Sequence, residues 1–387
     1  MEYRLRLTRV EDSAEKRPNL GGMVSANDKD GARRAETTRR TALENSSPDG
    51  QGSAPPWDPC PSPPLSGIDR AAMRALTWDG TSVRVEERDP PRLGPGMALV
   101  QVAVAGICNT DLELVRGYMG FRGTLGHEFV GTVSEGPAAW AGRRVVCEIN
   151  FSCGTCGWCA RGLGRHCPTR RVMGILDADG AFADVVAVPV ANLHAVPDDV
   201  PDDVAVFAEP LAAAFEILEQ VHVTSATDCL VLGDGKLGLL VAQVLHQAGT
   251  RVRLVGRHEA KLVIARRRGI EAVEESAWDR TQADLVVEAT GSAAGLHAAI
   301  AATRPRGTLI LKSTIADAVT LNCAPLVINE ISVVGSRCGS FPPAVRALAG
   351  RGIDVTSLIS ARRPLTDGVA ALQLAAQPGV LKVLLEP

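Results

Sequence analysis

Four cysteines, Cys153, Cys156, Cys159 and Cys167, fall within fifteen residues of one another in a C-x2-C-x2-C-x7-C spacing. Four thiolates this close suit a metal ion, and Gly154, Gly157, Gly162 and Gly164 give the chain room to wrap around it. Tetrahedral zinc takes such a set as a closed site with no position left for substrate. Iron–sulfur ligation also uses closely spaced cysteines and is the competing metal reading. A second, looser set offers mixed ligands: Cys108 in GICNTD, His127 and Glu128 in GHE, and Glu209 in FAEPL. Zinc held by three or four such N, S and O ligands with one place open can polarise an alcohol oxygen and lower its pKa. Thr110 lies two residues after Cys108, so its hydroxyl is placed to pass the alcohol proton outward. Asp111 is the expected partner that orients the imidazole of His127.

Hydride chemistry needs an acceptor, and Gly233-Asp234-Gly235-Lys236-Leu237-Gly238 supplies a place for one. The run follows an apolar stretch and opens a helical pattern. Its glycines allow a tight turn and close approach of a pyrophosphate to the helix N-terminus. The next predicted strand ends Val255-Gly256-Arg257-His258. Gly256 stands where a carboxylate would hold the adenosine ribose, and Arg257 can pair with a 2′-phosphate, assisted by His258, so NADP is favoured over NAD. Glu288-Ala289-Thr290-Gly291 closes the next strand and resembles a loop, carrying Thr290 here, that lines the cofactor in known dinucleotide-binding enzymes. Lys312, in Lys312-Ser313-Thr314, is expected to approach the nicotinamide half.

These residues need two kinds of scaffold. From position 73, residues 74–78, 83–87 and 98–105 read as strands, and short strands punctuated by Gly and Pro continue to about 190. After Pro210 the pattern alternates: helix 211–221, strand 228–232, helix 237–247, strand 251–255, helix 260–268, strand 284–288, helix 295–302, strand 308–312 and a further strand, 331–335. Alternating strands and helices imply a parallel sheet. The expected organisation is a β-rich catalytic unit over 73–210, to which 340–387 return, and a dinucleotide-binding unit over 211–339. Residues 1–72 read as a disordered tail. Half of 53–64 is proline, and eleven Asp and Glu balance eleven Lys and Arg over 1–72, unlike an acid-poor transit peptide.

Composition excludes other classes. The 387 residues carry a formal charge of -3, which gives no basic footprint for nucleic acid. No uninterrupted apolar run is long enough to span a bilayer, and the first residues lack an apolar signal core. A cytoplasmic enzyme acting on a small molecule is expected. Cys229 and Cys323 read as small core residues.

Taken in this order, the motifs from position 73 to the end resemble the zinc-dependent medium-chain dehydrogenases, the family of alcohol, sorbitol and threonine dehydrogenases. The resemblance implies an α/β protein with a GroES-like domain, a Rossmann domain and a catalytic zinc between them. Cys108 and His127 match the first two ligands, and Glu128 matches the carboxylate that binds the metal directly or through its water. Glu209 falls where polyol-type members carry a glutamate, which points to a polyol, sugar or amino alcohol. Many relatives place a histidine five residues after the cysteine ligand to finish the proton relay. Here that position is Glu113, so either its carboxylate takes the proton or water does so directly. The family also implies a homodimer or homotetramer, with 331–335 as a candidate contact strand. A zinc-independent quinone or enoyl reductase and a non-catalytic nucleotide-binding protein are the alternative readings.

Overall fold

The computed structural model describes residues 72–313 and 318–387. The tail expected over 1–72 lies outside the described residues except for its last position, as does Thr314.

Long β-prone runs build the first half. Met97–Gly106 pairs antiparallel with Glu128–Glu135 on one side and with Val185–Pro189 and Lys382–Glu386 on the other. The sheet extends through Arg144–Cys147 to Leu193–Ala195 at one edge and ends at Ile359–Pro364 at the other. Alternation along 98–105 turns Val100 and Val102 toward a core that also takes Phe129, Phe182 and Leu385. The last strand of the chain therefore lies beside the first long one, which carries Lys382 to the base of Cys108. Met73–Trp78 and Val83–Arg88 form a hairpin, with Gly123–Thr124 on its other edge.

The second half is a six-stranded parallel sheet in the order Glu271–Glu274, Arg251–Gly256, Asp228–Leu232, Ala283–Glu288, Thr303–Leu311 and Ser332–Gly335. Its central strands are continuous apolar runs, as burial on both faces requires. The helix Lys236–Gln247 buries every residue from Gly238 to Leu245. Gln243 is polar among them, and its amide is satisfied by Asp354: Nε2 donates to the carbonyl at 3.1 Å, and Oε1 accepts from the backbone N–H at 2.7 Å.

Two details differ from expectation. Glu271–Glu274 is a strand that the pattern did not announce, because four residues with two exposed glutamates at a sheet edge carry almost no period. Thr303–Leu311 begins five residues before the expected start, its first part lying largely exposed. Among the described residues, no helix is long and apolar enough to cross a membrane.

Candidate active site

The cysteine and the histidine reach one point by different routes. Cys108 caps the short helix Asn109–Leu114, directly after the strand Met97–Gly106. Its backbone N–H donates to Asp111 Oδ2 at 2.8 Å, which fixes Asp111 one turn into the helix. His127 and Glu128 enter from the start of the neighbouring strand. The turn before them is held open by Gly126, at φ +97°, where a Cβ would lie 2.3 Å from the ring of Phe182. The ligand atoms of Cys108, His127 and Glu128 all lie within 4.8 Å of one another, with the histidine and the glutamate buried.

The electrostatics suit a cation. His127 Nδ1 stands 3.3 Å from Asp111 Oδ1, although neither atom has an aligned hydrogen bond. Burial opposes charge on His127, but the Asp111 carboxylate and the Cys108 sulfur together outweigh it and hold the imidazole pKa well above its usual value. Glu128 Oε2 is ion-paired with Lys382, which also donates to the Ile107 carbonyl at 3.2 Å. Both side chains of the pair are only 1% exposed. Glu128 Oε1 is buried without a partner and so keeps a free acceptor beside Cys108 and His127. An orphaned carboxylate oxygen, a thiol and an imidazole in one buried cluster fit a zinc ion.

Not every expected residue joins them. Glu209 lies in the first turn of the helix Ala208–Gln220, outside the 4.8 Å set. It is nevertheless within the field of its members: burial first, with Glu128 adding, pushes its pKa up to about 7, against the pull of His127 and Lys382. Thr110 Oγ1 is 3.8 Å from Cys108 Sγ, beside the cluster. Glu113, the expected end of the relay, bonds Arg116 at 2.7 Å. Four residues after Asn109 on a short helix, it is partly exposed and belongs to a surface ion pair. Lys382 escaped the sequence reading altogether, since 254 residues separate it from Glu128 and no motif marks it.

The four-cysteine lobe is a separate site. Its sulfurs form a ring: 153–159 at 3.9 Å, 159–156 at 3.6 Å, 156–167 at 3.8 Å and 167–153 at 3.6 Å. Four thiolates about 2.3 Å from a tetrahedral ion stand about 3.8 Å apart. A disulfide would bring a pair to about 2 Å, and a multi-iron cluster would spread the set further. The spacing fits a single ion. Backbone N–H groups of Thr155 and Cys156 pull the Cys153 thiol down to about 5, which favours the thiolate form that binds a metal.

The cofactor cleft opens at the end of the central strand Asp228–Leu232, where the strand order reverses. Gly233, Gly235, Arg257, His258 and Thr290 line it, together with Asn109 from the catalytic half. A Cβ at Gly238 would sit 1.9 Å from the Gly233 carbonyl, so this helix start tolerates only glycine, whereas at Gly235 a Cβ meets open space. Lys236 donates to Asn109 Oδ1 at 2.9 Å and ties the loop to the residue beside Cys108. Leu237 packs against the core beneath. Thr290 Oγ1 donates to Glu288 Oε1 at 2.6 Å. Lys312 does not face outward: Nζ donates to Ser336 Oγ at 2.9 Å and to the Arg337 carbonyl at 2.7 Å, and burial lowers its pKa to about 8.

Comparison with known proteins agrees with this fold. Residues 94–198 match the alcohol dehydrogenase GroES-like domain, and residues 237–351 match the zinc-binding dehydrogenase domain. D-altritol 5-dehydrogenase of Agrobacterium fabrum is 31% identical, over 71% of this chain and 87% of its own. The chain belongs to the zinc-type medium-chain dehydrogenases. It is an alcohol oxidoreductase with a GroES-like domain and a Rossmann-like sheet. The solved structure of a zinc-binding dehydrogenase from Sinorhizobium meliloti bound to NADP superposes with a TM-score of 0.76 at 28% identity, covering 82% of this chain and all of that one. An alcohol dehydrogenase of Escherichia coli complexed with NADH superposes equally well, with a TM-score of 0.76 at 27% identity, covering 82% and 99%. Neighbours of equal likeness carry either cofactor, so the fold does not decide between them.

Proposed function

We propose that this dehydrogenase interconverts a polyol or sugar-type secondary alcohol and its ketone, using a nicotinamide dinucleotide and one zinc held by Cys108, His127 and Glu128. The observation that carries the reading is the convergence of those three ligands on a buried point beside Asn109, a residue that also lines the dinucleotide cleft. Zinc there supplies a Lewis acid that makes an alcohol oxygen acidic at neutral pH. Asp111 orients His127. Lys382 fixes one oxygen of Glu128 and leaves the other toward the metal. Thr110, beside the Cys108 sulfur, is the first hydroxyl available to an outgoing proton. Because Glu113 is engaged with Arg116, water takes the proton beyond Thr110. Glu209, with its pKa near neutrality, stands as a further carboxylate at the edge of the cluster, in reach of the metal's field. Gly233, Gly235, Lys236 and Gly238 receive the pyrophosphate, and Thr290 borders the cofactor beyond it. Lys312 acts indirectly, by pinning the 336–337 turn.

A second, structural zinc is assigned to Cys153, Cys156, Cys159 and Cys167, where it closes the lobe. Substrate class rests on the D-altritol relative and on Glu209, the residue of polyol-type members. Initial rates with pentitols, hexitols, cyclitols and amino alcohols, each with NAD and NADP, test the reading. Polyol oxidation that stops on chelation and returns with zinc supports it, and turnover by the metal-free protein sinks it. A two-fold contact through the edge strand Ser332–Gly335 is also proposed. Val333 on it is exposed, as are Val327 and Ile328 on the preceding helix. Light scattering of wild type against Val333→Lys, with a monomer expected only for the variant, tests it.

A further inference from the structure

The end of the strand Arg251–Gly256 looks, in sequence, like a gap where a carboxylate should be. In space the gap is filled. A Cβ on Gly256 would lie 2.4 Å from the Cβ of Asp234 and 2.7 Å from its carboxylate. The acid therefore arrives from the glycine loop, one strand over, and glycine at 256 is what makes room for it.

Three donors lock this carboxylate in place. Asp234 Oδ2 accepts from the backbone N–H of Arg257 at 2.8 Å, from that of His258 at 2.7 Å, and from His258 Nδ1 at 2.9 Å. Oδ1 takes none of these bonds. The side chain is only 10% exposed, yet it lines the same cleft as Gly233, Gly235 and Gly256. Arg257 lines the cleft too, but it is neither buried nor free to turn toward a ligand. Its side chain is 65% exposed, and its Nε already donates to Glu275 at 2.8 Å.

We propose that Asp234 binds the adenosine ribose hydroxyls of the cofactor and thereby selects NAD(H) over NADP(H). The inference rests on the dinucleotide reading above and reverses the preference that Gly256 and Arg257 suggest in sequence. A ribose hydroxyl donates to a carboxylate, whereas a 2′-phosphate brings negative charge against one that water barely screens. Arg257 offsets little of that repulsion, because it is solvated and shared with Glu275.

The test is a fluorescence titration of the zinc-loaded protein with NADH and NADPH in the absence of any alcohol. Wild type is expected to bind NADH about tenfold or more tightly than NADPH, the factor expected of one hydrogen bond to a charged group. Asp234→Asn keeps the side chain's size and an oxygen for the backbone donors. It should weaken NADH by about the same tenfold factor and leave NADPH no weaker, closing the gap. Glu275→Gln, a surface change that frees Arg257, should tighten NADPH alone. Tighter NADPH binding by wild type overturns the proposal. So does an equal loss of both cofactors in Asp234→Asn, which would make Asp234 a prop for the loop. Tight NADH binding by a protein that oxidises no alcohol would refute the proposed reaction and leave the cofactor assignment standing.

Discussion

Replacing Lys382 with Met strips Glu128 of its partner while keeping an unbranched side chain in the slot. Both members of the pair are 1% exposed. At contact distance and an effective dielectric of about 20, the attraction lost is roughly 5 kcal/mol. Measured losses on breaking buried pairs run about 3–5 kcal/mol, because one charge is stranded without water. The Ile107 carbonyl also loses a donor. Metal-free Lys382→Met should therefore be destabilised by about 3–5 kcal/mol in urea unfolding. Two further outcomes are specific to this site. Adding Glu128→Gln should restore about 2 kcal/mol or more, since removing both charges of a buried pair is far cheaper than removing one. Zinc should shrink the loss in the single variant, because a cation beside Cys108 and His127 compensates Glu128 in place of Lys382. A loss below about 1 kcal/mol without metal, or a double variant no better than the single one, refutes the reasoning.

Two other outcomes follow from the same geometry. Lys312 has its pKa lowered to about 8 by burial. The unfolded chain then binds more protons than the folded one between pH 8 and its ordinary value, so stability rises with pH across that window. At about 1.4 kcal/mol per unit the gain is on the order of 3 kcal/mol, and the difference between wild type and Lys312→Met in pH-dependent unfolding should isolate it. Gly238→Ala places a methyl 1.9 Å from the Gly233 carbonyl, so unfolding should show a loss of about 1–3 kcal/mol and NADH titration a loss of binding.

Much of the site was legible because its chemistry is local in sequence. Cys108, Thr110 and Asp111 share one helical turn, His127 and Glu128 are adjacent, and the four-cysteine lobe spans fifteen residues. The parallel sheet was legible because strands such as Asp228–Leu232 are buried on both faces and read as apolar runs. What escaped is non-local. Lys382 meets Glu128 only because the last strand returns beside Met97–Gly106. Asp234 occupies a position that the glycine motif leaves free, and its role emerges only where two loops touch. Glu113 shows the same limit: its position along the chain did not reveal that its side chain pairs with Arg116 on a short, partly exposed helix.

The most direct test of the account is elemental analysis of wild type and Cys108→Ser, read together with alcohol oxidation by the same samples. Two zinc ions per chain are expected in wild type. In the variant one should remain, with unchanged unfolding of the cysteine lobe and no oxidation of any polyol. A Cys108→Ser protein that keeps both ions, or that loses one and still turns over, contradicts the assignment of the chemistry to this cluster.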